Sequence, residues 1–411
     1  MVKLILIEYR KNFLKSSIMG IILLFSILNI IKIYSVYNNN SLLSQNIDPK
    51  WNGLYWEMYE DFGGEITLEK SEKLMSIYRP LEKKTADRTA SRTMDNPNTY
   101  TGNVYNDHYF FLWNYVKPME YAYMYKSNSN DIVNDAKENM LFYESIGNPY
   151  EYRKNVIIAE VFKERIIPEF SYNEMYQYYT HYDFSAFLVI LICLYCLIRV
   201  FVSEKETEMD ILLLTTIAGG TKTVIAKIIA SAIFIFIICW WYWLIDFISF
   251  SLIFDSFEAA FTPVFSIENF SYSSIRLSLG EYAILSCIVK TLGILVLGMM
   301  YLLISSLFKN ALLPFIINMS ITLGLFYIQG IYMGSGHILM KILNPLVLVI
   351  NREVFRKTEF VNLFGYPLLS YIPAILFAIT LGVLCILIIF ILIRKNAVYD
   401  KEVRERAIVD F

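Results

Sequence analysis

Six stretches of this 411-residue chain are long and apolar enough to cross a lipid bilayer, which takes about 20 mostly apolar residues in an α-helix. A backbone inside lipid must satisfy its own hydrogen bonds, so a single apolar stretch of this length folds as a helix. The sequence therefore predicts an all-α polytopic membrane protein. The predicted spans are residues 17–37, 184–203, 223–247, 282–307, 311–333 and 368–393.

Composition agrees with a membrane protein and argues against several other classes. Hydrophobic residues make up 56% of the chain and charged residues only 18%, below the roughly 25% that is usual for soluble domains. The net charge of −2 provides no basic field for nucleic acid. The histidines His108, His181 and His337 are far apart and show no metal-ligand spacing. We therefore expect no metal site, no catalytic centre and no cofactor in this chain.

The distribution of lysine and arginine predicts the orientation of the spans, because these residues favour the cytoplasmic flanks. If both termini are cytoplasmic, all the short basic flanks but one lie inside: the N-terminal segment 1–16, the tail 394–411, Lys309 between spans four and five, and the residues Arg199, Lys205, Lys222 and Lys227 around the connection 204–220. The segment 334–367 departs from this rule, since it is basic and would lie outside. Both it and the segment 248–281 hold short apolar runs, so we expect external loops with short re-entrant helices there.

The region between the first two spans, residues 38–183, is long enough to form an extracellular domain. Its pattern is mainly helical: Asn148 and Pro149 supply a cap and a first-turn proline for a helix that should end before Pro168. Tyrosines are dense throughout the region, and each combines a flat apolar body with a polar tip. They either fill the core of a small domain or form a partly wet binding surface.

The connection between the second and third spans, VSEKETEMDILLLTTIAGG, has the signals of a separate short helix. Ser203 and Glu206 have the spacing of a capping box, and Gly219 with Gly220 supplies a left-handed stop. The helix between them, residues 204–218, would measure about 22 Å, too short to cross a bilayer. It would lie at the cytoplasmic face, either as interfacial filler or as the docking element of a soluble partner.

One lysine, Lys290, lies well inside the fourth predicted span, where a charged side chain is costly and usually faces a cavity or a partner. Asp246, near the outer end of the third span, is a possible counter-charge. Two interpretations stay open: an intramembrane polar pair of Lys290 with Asp246, or a lysine that extends to the outer interface.

The order of these features resembles the permease subunit of a type 2 ATP-binding-cassette (ABC) transporter. The resemblance rests on the N-terminal LIEYRKNFLKSS, the large external insertion, and the run FVSEKETEMDILLLTTIAGGTKTVIAKIIA, which is similar to the family's Glu-x-Glu, Leu-Leu-x-Thr-Thr and Ala-Lys pattern. Parts of the insertion, such as GGEITLEKSEKLMSIYRPLEKK, look like those of permeases from low-GC Gram-positive bacteria.

The resemblance implies that the helix 204–218 is a coupling helix seated in a groove of a separate ATPase subunit. The residues that match the family's elbow and contact run are Ser203, Glu204, Glu206, Leu212, Leu213, Leu214, Thr215 and Thr216.

The family's function would make this chain the non-catalytic permease of an exporter in the plasma membrane of a Gram-positive bacterium. ATP and Mg would bind the partner ATPase, and a second permease, identical or different, would complete the transport path. An amphipathic or antimicrobial peptide is the favoured substrate. The alternative is a sensor or mechanical-coupling subunit of a peptide-antibiotic resistance complex, without transport.

Overall fold

The computed structural model describes residues 1–41, 43–44, 50–87, 99–207, 209, 221–332 and 338–409, with the backbone alone for 332 and 394–409. It is mainly helical. The helices are α1 (Val2–Phe13), α2 (Ser16–Asn40), α3 (Trp51–Phe62), α4 (Leu68–Ala86), α5 (Val104–Phe111), α6 (Lys117–Ser145), α7 (Pro149–Phe162), α8 (Glu174–Thr180), α9 (Phe184–Glu206), α10 (Thr221–Phe254), α11 (Leu279–Leu307), α12 (Leu312–Tyr332), α13 (Ile338–Ile342), α14 (Leu346–Val349), α15 (Arg352–Phe355) and α16 (Tyr371–Val409). A single π-helical turn, Leu112–Val116, joins α5 to α6.

Six of the described helices are long and apolar enough to cross a membrane: α2, α9 with α8 before it, α10, α11, α12 and α16. They lie at the six places that the sequence predicts. Two bounds differ from the prediction by more than three residues: α10 continues to Phe254, and the helical backbone of α16 continues through the predicted tail to Val409.

The six helices differ in how far the protein encloses them. Within the most apolar 18-residue stretch of α9, 78% of the residues are buried, against 22% in the corresponding stretches of α2, α12 and α16. Accordingly α9 lies at the centre of the bundle, and the three others lie at its periphery with apolar side chains such as Leu23, Tyr327 and Ile391 exposed.

We call the end of the bundle that carries α1, the last turn of α9 and the first turn of α10 the basal end, and the opposite end the distal end. The described residues from α3 to α8 form the distal domain. Its core contains large aromatic side chains, and Tyr55, Tyr78 and Tyr115 are among them. These tyrosines therefore fill a core, which was one of the two interpretations of the tyrosine-rich region.

The long helices α6 and α7 of the distal domain form an antiparallel pair. The predicted start of α7 is confirmed: Pro149 is its first residue, and the side-chain oxygen of Asn148 accepts a hydrogen bond from the backbone N–H of Glu151 at 3.2 Å. The helix ends at Phe162, before Pro168. Local signals sufficed here because the cap and the proline act within one turn.

The distal domain is fastened to the connection between α10 and α11. The guanidinium of Arg165, which is 3% exposed, donates to the backbone oxygens of Ser273 at 2.9 Å and Val161 at 2.8 Å. The hydroxyls of Tyr121 and Tyr125 donate to backbone oxygens of the same connection at 2.7 and 2.8 Å. A buried arginine requires such partners, so this contact is well defined.

The segment between α12 and α16 turns back into the bundle. The helix α14 is almost fully buried, and a Cβ added at Gly293 would lie 2.9 Å from the side chain of Val349 and 3.1 Å from that of Leu348. The absence of a side chain at Gly293 therefore lets α14 pack against the middle of α11. Short helices were predicted in this segment, and α13, α14 and α15 lie there.

Two small strand pairs depart from the predicted all-α fold. Strand β1 (Gly64–Glu65) pairs antiparallel with β2 (Glu169–Phe170), and β3 (Phe360–Leu363) pairs antiparallel with β4 (Tyr366–Leu369). The second pair is a hairpin whose two turn residues, Phe364 and Gly365, have φ of 51° and 83°. Positive φ at both positions matches the twist of a two-residue hairpin turn.

Candidate functional site

The connection that the sequence singles out begins at the basal end of α9. Ser203 and Glu206 both lie inside α9, which runs without a break from Phe184 to Glu206. The prediction that they form a capping box at the start of a new helix is therefore wrong, because a capping residue must stand outside the helical backbone. The remaining predicted contact residues lie outside the described residues: Leu212, Leu213, Leu214, Thr215 and Thr216.

A group of charged and polar side chains surrounds Glu204 at this end of the bundle. We call it the basal cluster, and it consists of Glu8, Lys11 and Asn12 on α1, Glu204 on α9 and Lys227 on α10. The carboxylate of Glu204 is bound from two sides. One oxygen lies 2.5 Å from the ammonium of Lys11, and the other contacts the ammonium of Lys227.

Burial makes the pair of Glu204 and Lys227 important for the basal end. The side chain of Lys227 is 3% exposed and that of Glu204 is 7% exposed. The ammonium of Lys227 also donates to the backbone oxygen of Val200 at 3.2 Å. Removing one partner of a buried ion pair leaves an uncompensated charge, which costs about 3–5 kcal/mol. The pair therefore joins α9 to α10 in one arrangement.

The N-terminal helix α1 is held against the same two helices. The side-chain amide of Asn12 donates to the carboxylate of Glu8 at 3.1 Å. Burial raises the pKa of Glu8, against the lowering effect of Lys227 and Lys11. One turn further, the ring of Phe13 stacks on that of Phe234 with 4.3 Å between their centroids. The ion pair of Lys11 with Glu204 and the stacking of Phe13 on Phe234 together fix α1 alongside α9 and the basal half of α10.

The last turn of α9 also reaches the connection between α11 and α12. The carboxylate of Glu206 accepts a hydrogen bond from the backbone N–H of Ala311 at 3.0 Å. The ammonium of Lys205 donates to the backbone oxygen of Ser306. Three successive residues of α9, Glu204 to Glu206, thus contact three different parts of the basal end.

The second predicted site concerns Lys290 and Asp246, which do not form an ion pair with each other in this structure. The carboxylate of Asp246 instead accepts hydrogen bonds from the amide of Asn29 at 2.6 Å and the hydroxyl of Ser185 at 2.5 Å. The ammonium of Lys290 lies 3.5 Å from the backbone oxygen of Tyr182. Tyr182 lies two residues before the start of α9, so the ammonium of Lys290 points towards the distal end of the bundle.

These side chains belong to one polar group that links four spans, although no ion pair joins its two charges. The hydroxyl of Tyr182 donates to the side-chain oxygen of Asn29 at 2.7 Å, and Asn29 in turn binds Asp246. Nearby, a guanidinium nitrogen of Arg352 lies 2.5 Å from the carboxylate of Asp183. Polar groups enclosed by apolar helices are well paired here, as a low-dielectric interior requires.

Sequence reasoning missed Lys227 as a buried partner and treated it as one of several flanking basic residues. Its surroundings, VIAKIIA, held a usable signal, because a lone lysine within an apolar run suggests a buried counter-charge. No comparable signal marks Asn29 or Ser185, since small polar residues occur on spans of every kind.

The contacts described at both sites are mainly ion pairs and hydrogen bonds between helices. Among the described residues, no group of three or more histidine, cysteine, aspartate or glutamate side chains is arranged to hold a metal ion. No protein-family model matches the chain, and no curated protein matches it.

Proposed function

We propose that this chain is the permease subunit of an ATP-driven exporter, of the type 2 ABC kind that its sequence resembles. Its basal end would face the cytoplasm of a bacterial cell, with both termini on that side of the plasma membrane. A separate ATPase subunit would bind ATP and Mg, and a second permease would complete the path. The favoured cargo is an amphipathic peptide.

The observation that supports this proposal is the position of the basal cluster. Glu204 is bound to α1 and α10. It lies only three residues before Thr207, the residue that follows the end of α9 and begins the connection 207–220. A force applied to this connection would act at once on three helices that are tied together. A loop that served only as a link would have no need of a buried ion pair at its root, which costs desolvation energy.

Copurification tests the central claim. We expect the full chain, isolated from its native membrane in mild detergent, to retain a nucleotide-binding subunit and to show ATP hydrolysis. Recovery of the intact chain without any ATPase would refute the proposal.

Substitutions then test where the ATPase binds. We expect Leu213→Asp to abolish retention of the ATPase while the chain still inserts into the membrane, because a charge would enter an apolar contact. A matched control is Lys309→Asp in the other basal connection, between α11 and α12, where the side chain is exposed. Equal loss in both variants would count against a specific role of the 204–218 segment.

Transport assays separate export from sensing. In vesicles that contain the complex, ATP-dependent movement of a labelled amphipathic peptide is expected. ATP hydrolysis that responds to the peptide without moving it would instead favour the sensor or mechanical-coupling subunit.

A further inference from the structure

A cleft separates the distal domain from the connection between α10 and α11. Two cavities of about 300 and 540 Å³ lie along it, and Ser171 and Tyr172 line both of them. The first lies between the start of α6 and residues 266–269, and the second lies between α3 and residues 255–259. Ligand sites occur preferentially at such seams between structural units.

Aromatic rings form much of the wall of this cleft. Trp56 meets Tyr172 edge-on with 5.2 Å between the ring centroids, and it meets Tyr59 at 5.6 Å. The hydroxyl of Tyr172 is fixed by a hydrogen bond of 2.6 Å to Glu174. Phe257, on the opposite side, is 53% exposed. Rings that hold one another in place offer an apolar surface that loses little freedom when a ligand binds.

One ring of the cleft already carries a cation from the protein itself. The ammonium of Lys117 lies 3.6 Å from the centroid of the Trp113 ring, within the range of a cation–π contact. Of the described residues that line the cleft, Lys117 is the only lysine or arginine. Trp113 and Lys117 lie four residues apart on continuous helical backbone, so this aromatic face is already covered by a cation of the protein itself.

The remaining charges of the lining are negative. They are Glu169, Glu174, Asp255, Glu258 and Glu268. Two of these carboxylates act on the aromatic wall. Burial raises the pKa of Tyr59, and the negative charges of Glu258 and Glu169 raise it further. The excess of negative charge repels anionic lipid headgroups and attracts cationic ligands.

We propose that this cleft binds a cationic amphipathic peptide, with lysine or arginine side chains against the carboxylates and apolar side chains against the rings. The charge sets the sign of the ligand, and the aromatic wall favours a ligand that is also apolar. Binding here needs no ATPase. Only the further consequence, that such a peptide is the exported substrate, rests on the proposed function.

The test measures binding to the full chain in a neutral detergent. The probe is a dye-labelled peptide of alternating lysine and leucine, followed by fluorescence anisotropy, and its counterpart carries glutamate in place of lysine. We expect the lysine peptide to bind and the glutamate peptide not to bind. The double variant Glu169→Gln/Glu258→Gln should weaken binding of the lysine peptide by roughly tenfold.

A matched double variant, Glu138→Gln/Glu144→Gln, removes the same charge from exposed positions on α6. Glu138 lies roughly 30 Å along the helix from Lys117 at 1.5 Å per residue. This variant should bind the lysine peptide as the unaltered chain does. Equal loss in both double variants, no loss in the Glu169/Glu258 variant, or equal binding of the two peptides would overturn the proposal.

The two proposals can fail separately. Peptide binding by a chain that retains no ATPase would refute the proposed function and leave the cleft site standing. Retention of an ATPase by a chain that does not bind the lysine peptide would refute the cleft site and leave the proposed function standing.

Discussion

The ammonium of Lys227 contacts one carboxylate oxygen of Glu204, and both side chains are buried between α9 and α10. The other oxygen of the same carboxylate binds Lys11 of α1. One glutamate thus ties together three helices whose charged residues are far apart in the chain. This relationship explains why α9 continues past Ser203, since the helical backbone brings Glu204 to both lysines.

Removal of the ammonium should destabilise the basal end strongly. We expect Lys227→Met to lower the free energy of unfolding by about 3–5 kcal/mol, because Glu204 would keep a buried charge with only the partly exposed Lys11 beside it. Unfolding of the purified chain in detergent measures the effect. The control Lys222→Met, at an exposed position one turn away, should change stability little.

The double variant Glu204→Gln/Lys227→Met gives a sharper test of the same pair. We expect it to lose less stability than the sum of the two single variants, since residues in direct contact are not additive. Strict additivity would show that the two side chains do not interact.

Close packing at Gly293 should make this position intolerant of a methyl group. Gly293→Ala should cost about 1–3 kcal/mol, because its Cβ would lie 2.9 Å from Val349 and 3.1 Å from the backbone nitrogen of the same residue. Gly324→Ala on α12 is the matched control, since a Cβ there meets no atom within 4 Å. If thermal unfolding is unchanged for Gly293→Ala, α14 does not pack as described.

We expect the hydrogen bonds of Asp246 to contribute more to the stability of the protein than its negative charge does. Asp246→Asn keeps groups that can bind Asn29 and Ser185, so we expect a small change in unfolding temperature. Asp246→Ala leaves both partners unsatisfied in a buried site and should cost about 1–3 kcal/mol. A loss for the Asn variant as large as that for the Ala variant would instead indicate that the charge, and so an interaction with Lys290, is required.

Lowering the pH should destabilise the distal domain, because His108 becomes protonated. Burial lowers the pKa of this side chain, whose Nε2 lies 3.1 Å from the hydroxyl of Tyr78. The folded state therefore disfavours the protonated ring. Its contribution to stability is present above the unfolded pKa of about 6.5 and is lost as the pH falls towards the lower folded-state pKa.

Hydrogen exchange of the distal domain at about pH 7.5 and about pH 5.5 checks this prediction. Protection around His108 should fall at the lower pH in the unaltered chain and fall less in His108→Gln. The same pH dependence in both proteins would assign the effect to other groups.

Two helix-start signals show the limit of local reasoning in this chain. Asn148 with Pro149 and Ser203 with Glu206 are both good local signals for the start of a helix, yet only the first starts one. At Ser203 the chain is already helical, and the neighbouring Glu204 has ion-pair partners on two other helices. A tertiary contact therefore overrides a local preference that is worth only about 1 kcal/mol.

The sequence by itself determined where six apolar helices lie, because length and hydrophobicity are local properties that lipid selects directly. Only the tertiary structure decided that α9 is enclosed while α2 faces outwards, since apolar side chains suit lipid and protein equally well. It also decided the partners of the buried charges. Lys227 and Glu204, like Asp246 and Asn29, lie on different helices, and no local pattern specifies which buried groups will meet.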